Sequence, residues 1–161
     1  MPTDLLGALT ATDSDATVTF DRAYRTDAPD LWNAVTDPDR LARWFAPVSG
    51  ELVAGGTFTI RFDDGDIPAC TIESCDAPHG FTWLWPHGGR TSRVRVEVVP
   101  DAAGARLRLV HDRLTRSAAP EYAAGWQAYV RSLDAHLAGE QDGDWWGEFH
   151  AVKDAYAATL G

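Results

Sequence analysis

Histidine is the side chain best suited to moving a proton near neutral pH, and only one of the five here sits in an informative pattern. His111 follows Leu107 and Leu109 at every second position, so on a strand all three share one apolar, inward face. An inward histidine is either a neutral core group satisfied by a hydroxyl or backbone atom, or a polar fixing point or proton carrier in a cavity. Asp112 alternates to the other face, so the sequence offers His111 no carboxylate partner. His79, His87, His136 and His150 share no ligand spacing, and neither H-E-x-x-H nor C-x-x-C occurs, so no metal and no cofactor are expected. His87 lies in a glycine-rich hairpin turn and should face water.

Other reactive types are equally isolated. Ser49 in PVSGE sits in a loop with no helix after it, so no nucleophile elbow is present. Lys153 is the only lysine; nothing like G-x-x-x-x-G-K precedes it, which excludes a phosphate-binding P-loop. Asp63, Asp64 and Asp66 crowd one turn without the downstream Glu of a calcium loop and read as a solvated hairpin, while Glu73 and Asp76 flank a strand. Gly55-Gly56 and Gly88-Gly89 are hairpin turns rather than phosphate cradles, since no helix starts after them. No catalytic residue is assigned.

Aromatic side chains carry more signal. There are seven Trp, and Trp32, Trp44, Trp83, Trp85 and Trp126 fall on expected inner faces. Phe58, Ile60 and Phe62 alternate along one strand and Phe81 joins Trp83 and Trp85 along another. Phe45, Tyr129 and Val130 lie on helical faces. These rings, with His111, either pack as core or line a preformed apolar pocket of a few hundred Å³. Arg93, Arg95, Arg106 and Arg108 form a row on the opposite sheet face, balanced by Glu97, and are the one patch suited to an acidic partner.

The positioning elements can be read from periodicity. A strand begins at Thr17; Asp27 and Asp37 cap two short helices, with Pro29 and Pro38 in their first turns. From Gly50 to His111 the period is two, with polar turns between runs, which predicts antiparallel hairpins wet on one face. After Pro120 a stripe of Tyr122, Trp126, Tyr129, Val130, Leu133 and Leu137 predicts a long helix to cover the other face. The expected organisation is a loose lead-in over 1–16, a domain over 17–138, and an acidic linker with a short docking helix over 139–161.

At 161 residues the chain suits one domain with an adequate core. Fourteen basic against 24 acidic side chains give a net charge of −10, which disfavours nucleic acid and anionic lipid as partners. Cys70 and Cys75, on opposite faces of one strand and roughly 16 Å apart, are expected to be free thiols in a reducing compartment. No basic leader or long apolar run is seen, so a soluble cytoplasmic protein without membrane insertion is expected.

The stretch DAPDLWNAVTDPDRLARWFAP, the Gly55-Gly56-Thr57-Phe58 turn and strand, Leu107 through His111, and Gly125-Trp126 together resemble the START-like helix-grip (SRPBCC) superfamily. Within it they look most like the branch named after the activator of the heat shock protein 90 ATPase, over about residues 17 to 137. The resemblance implies an α+β helix-grip fold, a curved antiparallel sheet of about six to seven strands wrapped around a long C-terminal helix. It also implies a cavity between sheet and helix that holds an apolar or amphipathic molecule. Non-catalytic binding of a small hydrophobic ligand is the leading expectation. A co-chaperone-like interaction module and a cyclase- or hydratase-like enzyme using His111 or Tyr129 are the rivals, and a homodimer is left open.

Overall fold

The computed structural model describes residues 4–141 and 143–161. Its strands are β1 (Gly7–Ala11), β2 (Ala16–Tyr24), β3 (Val48–Gly50), β4 (Thr57–Ile60), β5 (Ala69–Asp76), β6 (Gly80–His87), β7 (Arg90–Asp101) and β8 (Gly104–Leu114). Its helices are α1 (Ala28–Thr36), α2 (Pro38–Trp44), α3 (Ala119–Leu137) and α4 (Trp145–Ala158). The eight strands form one antiparallel sheet in the order β1-β2-β8-β7-β6-β5-β4-β3. After β2 the chain crosses through α1 and α2 to the far edge, then returns strand by strand until β8 closes against β2.

Alternation dictates what faces inward. On β7, Ser92, Val94, Val96 and Val98 are buried; on β8, Ala105, Leu107, Leu109 and His111 are. The register joins Ile72, Trp83, Val94, His111 and Val18 into one buried row across five strands. His111 is inward because its neighbours on both sides are apolar. The opposite face carries the arginines, and three of the four are engaged: Arg93 with Asp112 at 2.7 Å, Arg95 with Glu97 at 2.6 Å, and Arg106 with Asp21 at 2.6 Å.

The short helices are set by their ends. The Asp27 carboxylate accepts the Asp30 N–H at 2.8 Å, and Asp37 both ends α1 and starts α2 ahead of Pro38. The Trp44 indole donates to the Ala34 carbonyl at 2.8 Å, locking α2 onto α1.

Three expectations need correction. The lead-in over 1–16 contains β1, paired with β2, while its first three residues lie outside the described part. Gly7 permits this: a Cβ there would sit 2.6 Å from Cζ of the Phe20 ring. Ser49 is in β3 rather than a loop, so the sheet has eight strands instead of six or seven. A bulge between Ile72 and Ser74 shifts the alternation of β5. Cys75 therefore pairs opposite Phe81 on the same face as Cys70, although both thiols are free and burial pushes the Cys70 thiol up to about 12.

Outside the sheet, Gln127 on α3 ties the termini together. Its carbonyl oxygen accepts the Leu6 N–H at 3.0 Å and the Tyr156 hydroxyl at 2.6 Å; its amide donates to the Asp4 carbonyl and to Glu148. Gln127 and Tyr156 are both fully buried, so an apolar replacement strands these donors. Gln127→Leu should cost about 2–4 kcal/mol in chemical denaturation. Hydrogen exchange should quicken in β1 and α4 well before the central strands, and uniform exchange would show that the network is not what holds them.

Candidate functional site

The inner face of the sheet is built around Trp85. Because β6 places Trp83 and Trp85 two residues apart, both point inward and their rings stack at 5.3 Å. Trp85 also stacks on Phe62 at 5.4 Å and on His111 at 5.2 Å, and meets Trp126 edge-on at 6.3 Å. Such offset and perpendicular contacts are what ring quadrupoles favour.

His111 has two partners and its protonation follows from them. The Trp126 indole N–H, which can only donate, reaches Nδ1 at 2.9 Å. Nδ1 is therefore the bare nitrogen and Nε2 carries the proton, 2.7 Å from the Ser92 hydroxyl oxygen. The hydroxyl in turn donates to the Trp85 carbonyl at 3.3 Å. Burial without a compensating carboxylate pushes the His111 pKa down to about 3. The ring is thus a neutral bridge between α3 and the sheet. It cannot take a proton from Ser92, because the nitrogen facing Ser92 already has one.

Two spaces adjoin this core. The inner one, between the sheet and helices, has a volume of about 50 Å³ and an almost wholly apolar wall. Of the expected pocket residues, Trp44, Phe45, Phe58, Phe81, Trp83 and Trp126 line it; Val35, Leu41, Leu52 and Leu107 also do, and were not anticipated. A preformed void of a few hundred Å³ is not what the fold holds: side chains occupy most of that room. The outer space is a groove of about 300 Å³. Phe62 and Tyr129 line it, with Arg43, Asp63, Asp64, Trp145 and Trp146. Trp44 and Phe45 belong to both walls.

The other expected residues are not brought into either space. Ile60, Trp85, His111 and Val130 are packed core. Trp32 is half-buried against the edge of Phe81, 5.8 Å away. His87 is exposed and lies 3.4 Å from Asp66. Among the described residues no group of three or more His, Cys, Asp or Glu could hold a metal ion. No described helix is long and apolar enough to cross a membrane.

Residues 25–138 match the family model described as Activator of Hsp90 ATPase homolog 1-like protein. The chain belongs to this family. No curated protein matches the sequence. Among solved structures, CalU16 from Micromonospora echinospora is similar, with 23% identity, a TM-score of 0.77, and coverage of 94% of this chain and 95% of that one. A Bordetella parapertussis protein gives 24% identity and a TM-score of 0.77 over 99% of this chain and 94% of its own. DynU16, from the dynemicin biosynthetic locus, gives 23% and 0.73 over 83% of this chain and 51% of its own. At such identities the likeness to these structures shows the shared α+β helix-grip fold.

The depressed His111 pKa has a consequence for stability. Unfolded, the ring titrates at its ordinary value of 6.5; folded, it stays neutral down to about 3. Between these values the unfolded chain binds the extra proton, so stability is complete above 6.5 and falls as the pH drops toward 3. The loss should reach about 1.4 kcal/mol per pH unit within that window. His111→Gln should flatten this slope in denaturation curves at pH 7, 6 and 5. An unchanged slope would mean that His111 does not govern it.

Proposed function

We propose that the protein binds a small hydrophobic or amphipathic molecule across the inner void and the outer groove, with Phe45 as the movable partition. The observation that carries this is the shared wall. Phe45 lies between about 50 Å³ of apolar space and about 300 Å³ of groove. Turning its ring aside merges them into a space of the size that accepts drug-sized ligands, about 300–1,000 Å³.

Phe45 is placed for such movement. It follows the last residue of α2, and its φ of −115° and ψ of −88° are outside the helical range. Its ring is half-buried against other rings, parallel to Trp126 at 5.7 Å and inclined to Tyr129 at 4.8 Å. A flat apolar ligand replaces those contacts in kind. A polar atom nearby favours an amphipathic occupant, since the indole N–H of Trp145, which lines the groove, is buried with no acceptor among the described residues. Supplying an oxygen to such a donor recovers about 1–3 kcal/mol. DynU16 comes from a biosynthetic locus, a setting that suits a holder of small organic molecules.

A second reading, a co-chaperone-like module, is favoured by the family's description alone. Its test is the ATPase rate of a bacterial-type chaperone with this protein present at tens of micromolar; an unchanged rate removes it. Chemistry by His111 on the ligand is disfavoured by the fixed proton on Nε2.

The ligand reading is tested by titrating lipids, flavonoids and aromatic polyketides while following tryptophan fluorescence and Tm. Phe45→Ala should cost about 1–3 kcal/mol of stability, less than a fully buried Phe, yet associate roughly ten-fold faster with any compound that binds the parent. If neither protein responds to any compound, the proposal fails.

A further inference from the structure

The outer groove has a polar character that the ligand reading alone does not explain. Its far wall is a corner of rings: Trp145 and Trp146 stand 4.7 Å apart at 80°, and Tyr129 lies 5.1 Å from Trp145 at 53°. Trp146 is 52% exposed, so its indole adds little to the core while offering a surface to solvent. Ring faces are electronegative and attract cations seated within about 6 Å of their centres.

Carboxylates face the same space. Asp63 and Asp64 lie in the turn between β4 and β5 and line the groove. Among the described residues neither pairs with a basic side chain, whereas Asp66 in the same turn lies beside His87. Their field falls on the aromatic corner. The Tyr129 phenol is raised well above its usual range, by burial first and then by Asp63 and Asp64. Arg43 also lines the groove and borders a second space beside His136. There, burial lowers the His136 pKa, and Arg40 and then Arg43 lower it further. The groove thus holds two carboxylates against one guanidinium, on a chain whose net charge is −10.

The geometry points to an organic cation as the occupant: a quaternary or protonated ammonium carried on a flat apolar body. The ammonium sits against Tyr129, Trp145 and Trp146 with Asp63 and Asp64 as counter-charges, and the apolar body runs past Phe62 toward Phe45. This assignment rests on the ligand-binding reading above and specifies its chemical class. An anion would have to meet Arg43 with two carboxylates in the same groove.

Three probes of one shape separate the possibilities by calorimetry on the full chain: (2-naphthylmethyl)trimethylammonium, 2-naphthylmethanol and 2-naphthylacetate. The ammonium should bind roughly ten-fold more tightly than the alcohol, with the acetate weakest. Raising the salt should weaken the ammonium alone. Asp63→Asn combined with Asp64→Asn keeps side-chain shape and acceptors, including the one that takes the Asp66 N–H. It should erase the ammonium's advantage while leaving the alcohol's affinity unchanged. Trp146→Ala, at an exposed position, should lower ammonium binding several-fold with Tm preserved. If ammonium and alcohol bind equally, or the double variant keeps the preference, the cation assignment is overturned and the ligand reading stands. If none of the three binds at millimolar concentration, both fall.

Discussion

The indole N–H of Trp126 is a donor placed where water cannot reach it, and the structure answers with one acceptor, His111 Nδ1. Much follows from that pairing. It fixes which nitrogen bears the proton, hands the other N–H to Ser92, and pins the middle of α3 over β8. A histidine held this way costs nothing at neutral pH and becomes a liability only when protonated. The same constraint explains why a histidine at the centre of a cavity-type fold is no general base here: its lone pair is already committed.

Around that bond, flat rings share the core with branched aliphatics such as Val18 and Val94 beside His111. Rings meet face to face or edge to face, and Phe45 joins them through Trp126 and Tyr129. Just past the end of α2 it lines, with Trp44, both the small inner void and the larger outer groove.

Much of this fold was legible in the residues because period-two alternation and helix caps are local. The inward turn of His111, the Asp27 cap, the start of α2 at Asp37 and Pro38, and the stripe on α3 needed no tertiary information. What was not legible depends on partners distant in sequence. Gly7 looks unstructured until Phe20 is beneath it, and the bulge that turns Cys75 inward is set by pairing with β6. Cavity size also escaped, since spacing gives the face of a ring but not its tilt. Trp145 and Trp146 did carry an unused signal: neighbours on a helix point about 100° apart, so only one of them can face the core.

Helix α4 divides its work along its length. Val152 and Tyr156, in its later turns, are fully buried and moor it to α3, whereas Trp145 and Trp146 at its start serve the groove. The family match ends at residue 138, before α4 begins. The part of the groove's wall that Trp145 and Trp146 supply therefore lies outside the matched range. The two ends of the helix thus meet different demands, one packed against the body of the domain and the other bordering open space.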